Sequence, residues 1–279
     1  MLIINDLTKK YGSLTAVDKL NMEIKKGEFF GLLGPNGAGK TTTVKMISTL
    51  TPKTDGDIII DNNKMDRNLT AMKKRIGIVP QQNNLENEMT AWENLELHGC
   101  LYGMEKGSRR KRIEELLDFI KLSDRSNDLV RTFSGGMKRK LMISRALMHQ
   151  PDLLLLDEPT VGLDAAARRS MWNLLKKLKN EGLTVLLTTH YIEEAETLCD
   201  RVGLINGGSL VEMDTPEKLI EKVGNFVVEY FDNGEIREDF FDTRRDAAMF
   251  AADLKGDTKI RPSNLEDVFI KLTNERVGG

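Results

Sequence analysis

Cysteine and histidine are scarce in this chain. Its 279 residues include two cysteines, Cys100 and Cys199, and three histidines, His98, His149 and His190. The cysteines lie far apart and fit neither a disulfide framework nor a zinc site. The histidines have no metal-ligand spacing with one another or with the cysteines. Buried free thiols in a cytosolic protein are the simple expectation. No apolar stretch approaches the roughly 20 residues needed to cross a bilayer, so any work on a membrane would leave the crossing to another chain. The N-terminus, MLIINDLTKKYG, puts charge straight after four apolar residues and does not read as a signal peptide. An excess of charge is also missing: 41 Lys and Arg against 43 Asp and Glu give a net charge of −2. Nothing global therefore points to nucleic acid or an anionic membrane. Neither long repeats nor low-complexity tracts occur.

What is present is the composition of an ordinary soluble globular protein, 30% charged and 40% apolar. The length suits one large domain, or a large and a small one. The run KGSRRKR, Lys106 to Arg112, is densely basic. It reads as a solvated helix start, or as a surface near lipid headgroups or a partner.

Strands are expected at LIINDL, LTAVDKLNMEI and EFFGLLG, then at DIIID and RIGIVP. The helix TTTVKMISTL begins at the loop after EFFGLLG, and TPKTDG is a turn. From about residue 88 to 150 the character becomes helical: AWENLELHGCLYG, RRKRIEELLDFIKL and MKRKLMISRALMHQ. Thr90 and Glu93 have capping-box spacing. PDLLLLDEP returns to a buried strand, followed by a helix at about 165–180, the strand TVLLTTH and the helix IEEAETLCDRV. Strands alternating with helices argue for an α/β fold with a parallel sheet covered on both faces. Thr215 and Pro216 open a further helix to about Val223, and a domain boundary is expected near residue 224. Beyond it come the strand FVVEYF, the helix TRRDAAMFAADLKG and RPSNLEDVFIKL, where Ser263 and Glu266 have capping-box spacing.

The chemistry begins at GPNGAGKT, Gly34 to Thr41, which fits G-x-x-x-x-G-K-[ST]. Such a loop turns backbone N–H groups inward around a phosphate chain, and the helix behind it adds its positive end. Glycines admit close approach and positive φ. Lys40 would reach the β and γ phosphates and the Thr41 hydroxyl would ligate Mg²⁺. LLLLDEP supplies Asp157, a carboxylate ending a buried strand, for which a Mg²⁺ ion is a partner. Neighbouring strand residues face opposite ways, so the chain must turn if Glu158 is to serve the same site. Pro159 biases Glu158 towards an extended or turn conformation, and Glu158 could then act as general base. In FSGGMKRK, Ser134, Gly135 and Gly136 open a second helix, and so a second phosphate cradle. One ATP has one γ-phosphate. The economical solution is a dimer in which this cradle closes over the partner's ATP.

Over roughly residues 1–220 the chain resembles the ATP-binding subunits of ABC transporters, with the motifs in that family's order. Tyr11 matches the aromatic that stacks on adenine. Gly34, Pro35, Asn36, Gly37, Ala38, Gly39, Lys40, Thr41 and Thr42 match the Walker A loop. Gln81 matches the glutamine that touches Mg²⁺ and water and senses the helical subdomain. Ser134 to Met137 matches the signature, and Asp157 and Glu158 match Walker B and the catalytic glutamate. Gly162 to Asp164 matches the loop along the dimer interface, and His190 the histidine that contacts the γ-phosphate. Taken alone, Tyr11 also reads as a core aromatic, Gln81 as a loop amide beside Gln82, Asp164 as a helix cap and His190 as a strand-end residue. His98 and His149 match nothing and read as structural. The signature departs from the family's usual form at Phe133 and Met137, where leucine and glutamine are usual. Met137 with basic residues after it, and the tail Asn264 to Thr273, resemble the branch of drug-, antibiotic- and polysaccharide-export ATPases.

The resemblance implies a P-loop NTPase core with a mostly parallel sheet, an antiparallel β subdomain and a helical insert at about 88–150, all within residues 1–224. Residues 225–279 would form a small α/β accessory domain. It implies an ATP hydrolase with Mg²⁺ as cofactor. The ATP-bound form would be a homodimer, or pair with a related ATPase subunit. It would drive a separate integral-membrane permease from the cytoplasmic face of the cell membrane, peripherally and with no nucleic acid, for export. The alternatives are an importer motor and a soluble ABC-type ATPase acting on ribosomes or DNA. The latter typically carry two cassettes, long coiled coils or zinc modules, whereas this chain has one cassette and neither addition.

Overall fold

The computed structural model describes residues 1–65, 70–232, 235–254, 256–273 and 277. An antiparallel layer comes first. β1 (Leu2–Tyr11) pairs with β2 (Leu14–Ile24); β3 (Phe29–Leu33) then leaves this layer and runs into α1 (Lys40–Ile47). β4 (Asp55–Ile60) and β5 (Asn63–Lys64) return, giving the order β2-β1-β4-β5. Leu2, Ile4 and Leu7 on β1 are buried. The alternation slips at Asp6, whose φ of +47° marks an irregularity in the pairing with β2.

After α2 (Thr70–Lys73) the strand β6 (Ile76–Val79) enters the central sheet. Three helices follow: α3 (Ala91–Leu101), α4 (Lys106–Phe119) and α5 (Gly135–Leu147), the last packed against β6. The chain returns through β7 (Leu153–Asp157), α6 (Ala165–Asn180), β8 (Thr184–Thr189), α7 (Ile192–Leu198), β9 (Arg201–Asn206) and β10 (Ser209–Asp214). The central order is β10-β9-β3-β8-β7-β6, with every pair parallel except β10 with β9. Every residue of β3, β7 and β8 is buried, as expected where both faces of a parallel sheet are covered. Gly31 makes room for that cover, since a Cβ there would lie 2.6 Å from Cys199 Sγ.

The helix α8 (Pro216–Glu221) is capped by Thr215 with proline in its first turn. A third sheet follows, built from β11 (Phe226–Asp232), β12 (Glu235–Phe241) and, after α9 (Arg244–Asp253), β13 (Thr258–Pro262). Its order is β12-β11-β13. The last element, α10 (Leu265–Thr273), turns back, and Leu265, Val268 and Phe269 are buried in the main core.

Several elements differ from the sequence expectation. The helix expected over 192–202 stops at Leu198. Cys199 is already extended, and Val202, Leu204 and Ile205 are buried in β9 beside β3. Sheet pairing outweighs the helical pattern there. The Thr90–Glu93 capping box forms as expected. The expected Ser263–Glu266 box does not; the cap sits one residue later. Asn264 Oδ1 accepts from the N–H groups of Glu266 and Asp267, and Asp267 Oδ2 accepts from Asn264 N–H at 2.8 Å. Arg261 fixes that choice by holding Asp267 with two hydrogen bonds of 2.7 and 2.8 Å. The helix expected over 243–256 ends at Asp253, and Lys255 lies outside the described residues. Cys199 is buried as expected, whereas Cys100 is exposed. The basic run at 106–112 is the start of α4: Arg110 and Arg112 pair with Glu114 and Glu115 of the same helix, and Arg109 ties it to Glu96 of α3.

His98 and His149 join α3 to the end of α5. Tyr102 stacks on His149 with ring centroids 3.8 Å apart, and His98 lies 5.7 Å from His149. Burial, with the Arg145 charge and His149 nearby, pushes the His98 pKa down to about 4. The ordinary value is 6.5, so in the window between these values the unfolded chain binds a proton that the folded chain refuses. The stabilisation is complete above pH 6.5 and is lost as pH falls towards 4. His98→Gln should therefore flatten the fall in denaturation midpoint between pH 7 and pH 5.5. Equal slopes in the two proteins would show that His98 does not carry it.

Candidate active site

β3 ends at Leu33, and at Gly34 the chain has no room for a side chain: a Cβ would lie 2.1 Å from Ile205 O. The loop then turns through Gly37, with φ of +81°, and Gly39, with φ of +103°, the residue that caps α1. This backbone puts the N-terminal amides of α1 at the mouth of a cleft of about 220 Å³. The cleft is lined by Asn36, Gly37, Gly39, Lys40, Thr41, Thr42, Gln81, Glu158 and, from the antiparallel layer, Ala16. Helix N-termini of this kind hold anions.

Lys40 is 4% exposed and bends back along the loop. Its Nζ donates to Gly34 O at 2.7 Å and Pro35 O at 2.9 Å, and lies 3.2 Å from Glu158 Oε1. The other carboxylate oxygen of Glu158 lies 2.9 Å from His190 Nδ1. Lys40 and His190 thus bracket one buried carboxylate. Glu158 has φ of +48°, so the sharp exit from β7 is made by a left-handed residue. Its N–H is held by Thr188 O at 3.1 Å and Thr188 Oγ1 at 3.2 Å.

Asp157 is buried beside it. Its Oδ1 accepts from Thr41 Oγ1 at 3.0 Å and Thr188 Oγ1 at 2.7 Å. A hydroxyl and a carboxylate at this spacing are hard oxygen donors. No group of three or more His, Cys, Asp or Glu suited to a metal occurs among the described residues. That set fits Mg²⁺, which keeps its waters and is held by one or two carboxylates plus substrate phosphates.

The structure thus brings Lys40, Thr41, Gln81, Asp157, Glu158 and His190 together. Gln81 lines the cleft, whereas its neighbour Gln82 does not. Tyr11, at the end of β1, is exposed beside Lys9 and outside the lining. Asp164 caps α6, accepting from Ala167 N at 2.8 Å. Ser134 caps α5, and with Gly135 it is exposed. None of Ser134, Gly135 and Gly136 lines the cleft of its own chain. Gly136 backs onto α6, since a Cβ there would lie 3.1 Å from Ala167 Cβ.

Three residues of the site escaped the sequence reading. Thr188 holds both acidic residues. Arg139 donates to the carbonyls behind them. Glu194 is fully buried on α7 beside Thr160, Thr189 and Trp172, and burial pushes its carboxyl up. A signal was available for Arg139, which shares the helical face of Met142, Ile143 and Ala146.

A phosphate loop at the carboxyl end of a parallel sheet, with an acidic pair at the end of a strand one removed from it across β8, defines a nucleoside triphosphatase of the P-loop class. The profile of the ABC transporter family matches residues 17–161. The chain is 45% identical over 224 residues to the linearmycin resistance ATP-binding protein LnrL of Bacillus subtilis, covering 80% of this chain and 72% of that protein. It is 39% identical to the Nod factor export ATP-binding protein I of Cupriavidus metallidurans, over 99% of this chain and 98% of the relative. Among solved structures, it resembles a dimeric ATP-binding cassette in a post-hydrolysis state bound to ADP and Pi. There the identity is 34% and the TM-score 0.69, covering 77% of this chain and 98% of that one. The chain belongs to the ABC transporter family, and it is an ATP-binding, ATP-hydrolysing subunit of that family. No helix among the described residues is long and apolar enough to cross a membrane.

The loop geometry separates two glycines. Alanine at Gly39 would combine a forbidden φ with a Cβ 2.6 Å from Ala16 O, whereas alanine at Gly37 would meet nothing within 4 Å. Gly39→Ala should destabilise the protein by about 1–3 kcal/mol and weaken binding of an ATP analogue. Gly37→Ala should cost less stability. Denaturation midpoints and a fluorescent-nucleotide titration check both, and the reverse order would refute the reading.

Proposed function

We propose that this chain is the motor of an exporter. Two copies, or one copy and a related ATPase subunit, close around two ATP and drive a separate integral-membrane permease from the cytoplasmic face of the membrane. The observation that carries the closing step is the exposure of Ser134 and Gly135 outside their own cleft. A phosphate cradle at the start of a 13-residue helix has no use on the surface unless a second molecule supplies the phosphate. The direction is supported by the full-length relative named for Nod factor export.

In this reading the loop from Gly34 to Thr42 and the Lys40 ammonium bind the phosphates. Thr41, Asp157 and Gln81 would hold Mg²⁺, which would supply positive charge to offset that of the phosphates. Glu158 takes the proton of the attacking water. His190 orients Glu158 and faces the γ-phosphate. Tyr11 stacks on adenine, Asp164 runs along the dimer interface, and Ser134, Gly135 and Gly136 close over the partner's ATP. The 3.2 Å contact of Lys40 with Glu158 gives binding a direct consequence for the base. A triphosphate competes for the ammonium, and the carboxylate it releases is free to accept a proton. Residues 1–224 would form the ATPase and 225–279 an accessory unit.

Glu158→Gln should keep ATP binding, abolish turnover and trap an ATP-dependent dimer visible by size exclusion. Turnover near the wild-type rate would remove Glu158 from the base role. The same variant, tagged and loaded with ATP and Mg²⁺, should co-purify with an integral membrane protein from detergent-solubilised native membranes. Ribosomes or DNA in its place would refute the transporter assignment.

Lys40→Ala should weaken ATP binding itself, because it removes a charge that pairs the phosphates. Unchanged affinity in a nucleotide titration would show that Lys40 serves Glu158 alone.

A further inference from the structure

The helix that opens at Ser134 carries one buried cation. Arg139 is 6% exposed on α5, and no carboxylate among the described residues forms an ion pair with it. Burial lowers its pKa to about 10, against the opposing pull of Asp157, Glu194 and Glu158, so it is charged at neutral pH. Its hydrogen bonds go to backbone carbonyls from two separate loops. Nε donates to Pro159 O at 2.7 Å, and Nη2 donates to Asp157 O at 2.9 Å and Glu158 O at 2.6 Å. Nη1 donates to Pro80 O at 2.5 Å and Gln81 O at 3.2 Å.

These two loops carry Glu158 and Gln81. Burying a guanidinium is costly, and a helix needing only an apolar face would do better with a methionine. The Glu158 backbone explains the expense. A non-glycine residue at φ of +48° is disfavoured, more so before proline, and it must be held from outside. Thr188 of β8 holds its N–H side. On the carbonyl side the acceptors from Asp157 to Pro159 all converge on Arg139. A lysine has the charge but presents its donors from a single atom, and it could not reach both loops in the geometry of a planar fork.

We propose that Arg139 is a positioning residue for Glu158: through one guanidinium it fixes the left-handed Glu158 peptide and the Pro80–Gln81 carbonyls to the signature helix, an inference that rests on Glu158 being the base. A displacement of the helix that begins at Ser134 then reaches both loops through that side chain. Arg139 acts on the orientation of the carboxylate and touches no part of the nucleotide.

The test is steady-state ATP turnover of the full chain carrying Arg139→Lys, with circular dichroism melting and a fluorescent ATP-analogue titration alongside. The expected result is a fall in kcat of about 10- to 100-fold, as for a reacting group displaced by about an ångström. KM and analogue affinity should stay within about threefold, because Lys40 and the loop amides are untouched. An unchanged kcat overturns the proposal. So does a variant in which kcat and nucleotide affinity decline together with the melting temperature, since that describes a general structural role. If the lysine variant does not fold, Arg139→Gln, which keeps two amide donors, reads the same split between kcat and KM. Glu158→Gln separates the two assignments. If it stays active, the base assignment fails. If it is inactive while Arg139→Lys turns over normally, only the positioning role fails.

Discussion

Two neighbouring residues on a strand point to opposite faces, yet Asp157 and Glu158 both reach the phosphate loop. Asp157 does so through Thr41, and Glu158 through Lys40. The single left-handed residue at Glu158 resolves that conflict, and much of the site exists to maintain it. β8 lies beside β7 in parallel register, with Thr188 opposite Asp157. Its hydroxyl accepts from the Glu158 N–H and donates to the Asp157 carboxylate. The order of the central sheet thus decides which hydroxyl meets the acidic pair. The loop from β3 enters on the other side of β8, which brings Lys40 within reach of Glu158.

The site also concentrates buried charge. Lys40, Arg139, Asp157 and Glu158 are each 3–6% exposed. Ion pairs in such places contribute little net stability against their desolvation, but removing one member costs about 3–5 kcal/mol, because the other is left uncompensated. The arrangement is better understood as fixing geometry than as strengthening the fold. Hydrophobic burial does the latter: β3, β7 and β8 are buried throughout. Glu194 follows the same logic from the other direction. Burial raises its pKa, and its carboxyl lies beside Thr160, Thr189 and Trp172 beneath the His190 loop.

The phosphate loop was legible in the sequence because its information is local. Glycines at positions that need positive φ, a lysine and a threonine at fixed spacing, and an apolar strand in front suffice. The Thr90–Glu93 cap was legible for the same reason. What failed was whatever a distant contact decides. The pattern IEEAETLCDRV is helical by itself, but Arg201–Asn206 pairs with β3 and becomes a strand. Ser263 and Glu266 have the spacing of a capping box, but Arg261 draws Asp267 and moves the cap by one residue. Arg139 stands among Lys138 and Lys140 in a basic stretch. Nothing local distinguishes the one that turns inward from the two that stay partly exposed. Only the helix phase could have singled it out.

The C-terminal segment is bound to the core more firmly than its position suggests. Arg261 on β13 contacts Glu229 on β11, Glu238 on β12 and Asp267 on α10, so one guanidinium gathers three strands and the closing helix. That helix is in turn fastened to the core. Leu265 N–H donates to Glu196 on α7 at 2.8 Å, and Lys271 Nζ donates to Val223 O at 3.1 Å. The helix α7 begins two residues after His190. The third sheet is therefore tied, through α10 and α7, to the loop that holds the imidazole against Glu158. The helices α10 and α7 are thus the packed elements between the C-terminal sheet and the loop that carries His190.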